Sequence, residues 1–151
     1  PEKAALARAN GAWATIDYSR EDVVQRVLEL TDGAKCPVVY DSVGKDTWER
    51  SLDCVAPRGL LVSFGNASGA VPPVSPNVLA AKGSLYLTRP RLADYTATRA
   101  ELLETAADLF AVISSGQVRI SIGQRYALQD AAQAHRDLEA RRTTGSTVLL
   151  P

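Results

Sequence analysis

The run "PVVYDSVG", residues 37 to 44, is nearly all apolar and β-branched until Asp41, and "GLLVSFGNASG", starting at residue 59, is a second such run that ends in glycine. Runs this short and this apolar read as strands covered on both faces, because helices on either side of a parallel sheet leave no register pointing at water. Between them, "TWERSLDCV" sets Trp48, Leu52 and Val55 at helical spacing. Strand, helix, strand in that order predicts an open α/β sheet with parallel, doubly wound strands.

The flanking segments extend the pattern. "PEKAALARANG" is rich in helix formers, has proline at a tolerated first position, and stops at Asn10-Gly11, where a left-handed cap is easy. "WATIDY" then reads as a strand, and Ser19 as the N-cap of a helix carrying Val23, Val24, Val27, Leu28 and Leu30, closed by Asp32-Gly33. A proline-rich loop is expected from Val71 to Pro76, and "GSLYLTRP" reads as a further strand ended by Pro90. Residues 99 to 115 place Leu102, Leu103, Ala106, Leu109, Phe110 and Ile113 on one helical face. "VRISIGQRYAL" alternates like a strand, Leu128 to Leu138 reads as an amphipathic helix, and "STVLL" as a terminal strand.

Composition removes several function classes. Seventeen basic and seventeen acidic residues in 151 give a formal net charge of zero, so no overall field draws nucleic acid or an anionic membrane. No apolar run approaches the ~20 residues of a membrane helix, and the N-terminus lacks a signal-peptide pattern. Cys36, Cys54 and the single His135 form no spaced zinc-ligand set, so the thiols read as buried and reduced, in a cytoplasmic protein. His135, on the helical face of Leu128, Ala131, Ala132 and Leu138, reads as a packed residue rather than a base.

In an open parallel sheet, ligands sit beyond the carboxyl ends of the strands. The tips to inspect are Asp17-Tyr18, Asp41-Ser42, Phe64-Gly65-Asn66 and Thr88-Arg89. Gly65 at a buried strand's end would let backbone N–H groups approach a flat or phosphorylated ligand. It would serve equally as an ordinary turn. "FGNASG" is not a G-x-G-x-x-G fingerprint, and neither that motif nor a Walker loop occurs among these residues.

The segments "VVYDSVGKDTWERSLDCVAPRGLLVSFGNASGAV", "KGSLYLTRP" and "AHRDLEARRTTGSTVLLP" resemble the C-terminal half of bacterial NADPH:quinone oxidoreductases, the zeta-crystallin-like branch of the medium-chain dehydrogenase/reductase superfamily. The resemblance runs over essentially the whole chain. It implies that residues 1 to 151 are the later part of a dinucleotide-binding Rossmann domain, with about 119 to 151 returning towards a catalytic domain. It also implies that the first two strands and the glycine-rich turn lie outside these residues. The activity implied is hydride transfer from NADPH to a quinone, in a zinc-independent, cytoplasmic homodimer joined through the strand near Gly83 to Thr88. An enone or alkenal reductase of the same superfamily, or a non-catalytic nucleotide-binding module, is the alternative.

Carried over by position, the resemblance places Lys3, Tyr18 and Arg141 against the adenosine 2'-phosphate, with Arg142 a rival for Arg141. Two cations and a phenol suit a dianionic phosphate, which NADH lacks. Ser42 falls near the cofactor, Phe64, Gly65 and Asn66 beside the nicotinamide half, and Leu87 to Arg89 along the carboxamide. No metal is expected, and no residue presents itself as a proton donor. In a sheet of order 3-2-1-4-5-6, Ala14 to Tyr18 would be third and Val38 to Tyr40 fourth, so both would lack a neighbour. The third strand should then be cut off from the rest, with exposed edges and an uncovered apolar face.

Overall fold

A computed structural model describes residues 2–151. The chain divides into two compact units, one ending at Asp94 and the other running from Tyr95 to Pro151.

In the first unit, helix α1 (Glu2–Ala9) ends where expected, with Gly11 at φ 98 and the Asn10 amide donating back to the Leu6 carbonyl at 2.8 Å. The proline expected to open this helix lies outside the described residues. The strand expected at 13 to 18 is absent: these residues form no sheet pairing. Strand propensity alone does not make a strand, and no described element offers this segment a ladder. Helix α2 (Val23–Leu30) is capped by Asp22, which accepts from the N–H groups of Val24 and Gln25, and not by Ser19. Ser19 instead donates its hydroxyl and its N–H to Asp17 Oδ1, at 2.5 and 3.1 Å.

Strand β1 (Cys36–Asp41), helix α3 (Trp48–Cys54), strand β2 (Val55–Ser63), helix α4 (Pro76–Ala81) and strand β3 (Tyr86–Thr88) follow. The three strands form one parallel sheet in the order β1-β2-β3, with Val39 opposite Leu61 and Leu61 opposite Leu87. The proline-rich stretch ends one residue early, because Pro76 opens α4 rather than closing the loop. Ser75 accepts from the Asn77 N–H, and a proline at the first helical position loses no intrahelical bond.

One face of this sheet is the core. Leu61 and Val55 meet Trp48 and Leu52 of α3 and Leu85, with Val39, Val71, Val74, Val78 and Leu79 packed around them. The other face departs from expectation: Val38 is 41% exposed, Tyr40 72% and Tyr86 66%. The apolar run of β1 therefore reflects a sheet covered on one side among the described residues. Cys54 is buried while Cys36 is only half-buried, and burial pushes the Cys54 thiol up, keeping it protonated.

In sequence, the short helix α5 (Leu92–Tyr95) leads into the second unit, where α6 (Arg99–Ser114) begins with a reciprocal cap. Thr98 Oγ1 accepts from Glu101 N, and Glu101 Oε2 accepts from Thr98 N. The predicted helix is present, yet its apolar face is open, with Leu103 and Phe110 more than half exposed. Strands β4 (Ile122–Ala127) and β5 (Ser146–Leu150) pair in parallel, with Arg125 opposite Val148. β4 starts later than the expected residue 118. A 3-10 turn (Leu128–Asp130) precedes helix α7 (Ala131–Glu139), so the expected helix is regular only from Ala131. His135 is exposed rather than packed, beside a shallow pocket lined with Ala134, Leu138, Thr147 and Leu149.

Leu52 is fully buried in the α3–sheet core, whereas Leu103 lies on an open face. Leu52→Ala is expected to lower unfolding free energy by about 2–5 kcal/mol. Leu103→Ala should stay within about 0.5 kcal/mol if the open face meets nothing. Urea denaturation of both variants measures the contrast, and equal losses would contradict the burial described.

Candidate functional site

The carboxyl ends of β1 and β2 are laced into one ledge through Asp41, whose carboxylate fixes the turn after β1 and whose carbonyl reaches the end of β2. Asp41, the last residue of β1, is only 5% exposed. Its Oδ1 accepts from the N–H groups of Val43 at 2.8 Å and Gly44 at 3.1 Å. Its Oδ2 accepts from the hydroxyls of Ser51 at 2.6 Å and Thr47 at 2.7 Å. Burial alone would raise its pKa, but the bonds from Ser51, Thr47, Gly44 and Val43 together hold it below the usual carboxylate value. Gly44 closes the turn at φ 91, where a Cβ would stand 2.6 Å from the Gly69 carbonyl oxygen.

The same residue reaches β2 through its main chain. The Asp41 carbonyl accepts from the N–H groups of Phe64 at 2.9 Å and Gly65 at 3.3 Å. Further along, Ala67 N donates to Ser42 O, Ser68 N and Oγ to Val43 O, Asp46 N to Ser68 Oγ, and Lys45 N to Gly69 O. Residues 41 to 46 and 64 to 69 are thus a double-stranded turn, held by main-chain bonds and the Ser68 hydroxyl rather than by apolar packing. Its outer surface carries Ser42, Phe64 and Asn66, all exposed. The Phe64 ring meets Tyr40 edge-on, with centroids 6.5 Å apart.

Gly65 is required by the fold itself. A Cβ there would lie 2.1 Å from the Ser42 carbonyl oxygen, so the missing side chain lets two backbones cross. Arg89, just beyond β3, donates from Nη1 to the Ser63 carbonyl at 2.7 Å, which ties the third tip to the second. Leu87 lies within β3, 40% exposed. Ser42, Phe64, Gly65, Asn66 and Arg89 are therefore gathered at one end of the sheet.

The remaining candidates stand elsewhere. Lys3 is on the exposed side of α1. Tyr18 heads the turn before α2, more than half exposed, with the Arg50 guanidinium 5.6 Å from its ring centroid. Arg141 and Arg142 belong to the second unit. Arg142 Nη1 is 3.6 Å from Asp137 Oδ1, and hydrogen bonds from Gln133 and Tyr126 hold the Asp137 carboxyl below its usual value. Arg141 sits just past α7 in the left-handed region, at φ 58. Sequence reasoning placed Asp41 at a tip without seeing it as the anchor, and missed Arg50. The "D-S-V-G-x-x-T" spacing could have shown the first, whereas a cation over a ring in a distant segment leaves no local signal.

Parallel strands joined by helices, with their tips drawn into one ledge at the carboxyl end, define a Rossmann-like α/β domain. Residues 10–149 match the family model for the zinc-binding dehydrogenases, and the chain belongs to that family. It is 68% identical over its full length to a quinone oxidoreductase of Pseudomonas aeruginosa, of which it covers 46%. It is 43% identical over 99% of its length to a 2-haloacrylate reductase of a Burkholderia species, covering 45% of that protein. The crystal structure of Escherichia coli quinone oxidoreductase complexed with NADPH superposes with a TM-score of 0.95 at 53% identity, over 99% of this chain and 47% of that one. The chain spans about half the length of the relatives it matches. Despite the family's description, no group of three or more His, Cys, Asp or Glu that could hold a metal ion occurs among the described residues. The residues present do not fit a zinc site.

Two outcomes test the ledge. Gly65→Val is expected to destabilise the protein without any ligand, by about 1–3 kcal/mol or more, because the new Cβ must displace the Ser42 backbone. A thermal melt unchanged from the parent would contradict the crossing described. Asp41 has a folded-state pKa below its unfolded value, so its contribution is fully present above about pH 4 and is lost as pH falls through the folded value. Asp41→Asn should be less stable at neutral pH and show a shallower loss of stability on acidification, followed by urea midpoints from pH 7 to 2.

Proposed function

We propose that this chain is the cofactor-binding portion of an NADPH-dependent quinone reductase. The observation that carries the reading is the superposition on a quinone oxidoreductase complexed with NADPH at 53% identity over nearly the whole chain. The laced tips fit such a ligand: Ser42 and Asn66 present polar groups on an exposed, rigid surface beside the Phe64 ring. When bound, NADPH supplies a hydride, and with one proton the quinone becomes a hydroquinone. Phe64, Gly65 and Asn66 would line the nicotinamide half, Leu87 to Arg89 would face the carboxamide, and Ser42 would lie near the cofactor. Lys3, Tyr18 and Arg141 take the 2'-phosphate.

The pyrophosphate is left to a glycine-rich turn outside these residues, so 1 to 151 act as one part of a dinucleotide-binding domain, with about 119 to 151 returning to a catalytic domain. The reaction uses no zinc. The enzyme works in the cytoplasm as a homodimer joined near Gly83 to Thr88, a reading supported by two free cysteines and by the short, solvent-facing β3. No described helix is long and apolar enough to cross a membrane. A second reading, reduction of an activated alkene, draws support from the similarity to 2-haloacrylate reductase. The two differ in acceptor and share the cofactor.

The test is steady-state turnover and cofactor binding by the full-length protein. Quinone should be reduced with NADPH far better than with NADH. Lys3→Ala and Arg141→Ala should each weaken NADPH by about 1.5–3 kcal/mol, the range for hydrogen bonds to charged groups, and leave NADH nearly unchanged. Calorimetric titration checks this, and equal losses for both cofactors would refute the phosphate assignment.

A further inference from the structure

Tyr18 lies outside helix and strand, at the head of the turn at 18–20. The main chain of this turn is fixed locally. Asp17 O accepts from the N–H groups of Arg20 and Glu21 at 2.9 Å each, and Asp17 N donates to Glu21 Oε2 at 2.7 Å. The ring, by contrast, lies more than half exposed under the guanidinium of Arg50. Arg50 projects from α3, a helix pinned to the core by Trp48 and Leu52. The guanidinium is therefore presented by one of the most firmly held elements of the unit, to a residue on one of its least regular segments.

The surrounding charges leave Arg50 to this role. Together with Glu21, Asp22, Val23 and Val24 it lines a shallow cavity of about 270 Å³. Both carboxylates there are engaged: Asp22 caps α2, and Glu21 accepts from Asp17 N and stands 3.5 Å from Arg26 Nε. Among the described residues no carboxylate comes within 4.0 Å of the Arg50 guanidinium. A cation over an aromatic face restrains the ring's rotation, and it adds positive potential where a phenol would donate to an anion.

We propose that Arg50 is a positioning residue that holds Tyr18 in the orientation that reads the 2'-phosphate, and so contributes to the choice of NADPH over NADH. The inference rests on the assignment of Tyr18 to that phosphate. Arg50 acts through the ring and touches neither the reacting atoms nor the nicotinamide.

The test is a double-mutant cycle on the full-length protein, read as calorimetric Kd for NADPH and for NADH with thermal melts of every variant. Arg50→Ala should weaken NADPH about 2- to 5-fold, the span of one exposed cation–π contact, and leave NADH unchanged. Arg50→Lys keeps the charge over the ring and should recover part of the loss. In a Tyr18→Ala background, Arg50→Ala should cost almost nothing further. If Tyr18→Ala leaves the NADPH preference intact, the phosphate assignment fails and the inference with it. If Tyr18→Ala abolishes the preference while Arg50→Ala does not change it, the positioning role alone is overturned. Additive losses would also overturn it, since they would mean that Arg50 acts independently of Tyr18. Should Arg50→Ala lower the melting temperature, Arg50→Lys decides the question, because a structural role would weaken both cofactors alike.

Discussion

The buried carboxylate of Asp41 is the interaction on which the site depends. An ionised group taken out of water costs several kcal/mol unless its oxygens are fully bonded, and here both are. Two main-chain N–H groups and two hydroxyls converge on it, from the turn after β1 and from the start of α3. This explains a local irregularity. Thr47 stands at the N-cap of α3, yet its side chain makes no capping bond, because its hydroxyl is turned to Asp41 instead. The helix gives up an ordinary cap and gains a negative charge close to its N-terminus, where the dipole favours one. Through its carbonyl the same residue holds Phe64 and Gly65, so one side chain and its main chain fix two strand tips at once.

What the sequence made legible follows from how local each feature is. β1, α3, β2 and α6 are each specified within a few residues, by apolar spacing, a turn glycine or a capping box, and all four are present. The strand expected at 13 to 18 was not decidable in that way: Ile16 and Thr15 suit a ladder, but a ladder needs a neighbour. Pro76 could read as a loop's end or a helix's first residue, and only Ser75 before it favours the second. The candidate site divides likewise. The tips followed from the general rule for parallel sheets, whereas the backbone crossing of Gly65 at Ser42 and the pairing of Arg50 with Tyr18 belong to tertiary geometry.

Exposure marks the same boundary. Val38, Tyr40 and Tyr86 open one face of the sheet, and Leu103 and Phe110 one face of α6. Open apolar faces of this kind are unusual on a self-sufficient domain. It accords with the proposal that these residues work within a longer enzyme, and the relatives, about half matched by this chain, are of the length that would require.

Two mechanical regimes meet in the first unit. The ledge at residues 41 to 46 and 64 to 69 is cross-bonded throughout, which on the proposed function suits a surface that holds a nicotinamide for hydride transfer. Tyr18 sits on a turn beside a segment that pairs with no described strand, with the Arg50 guanidinium over its ring. Selectivity between NADPH and NADH asks less of geometry, because a charged phosphate is recognised over a wider range of positions than a reacting carbon tolerates. Cofactor choice can therefore rest on a peripheral, adjustable contact while the chemistry rests on a fixed one. On the proposed role of Arg50, a change there would alter which cofactor is taken and leave the ledge as it is.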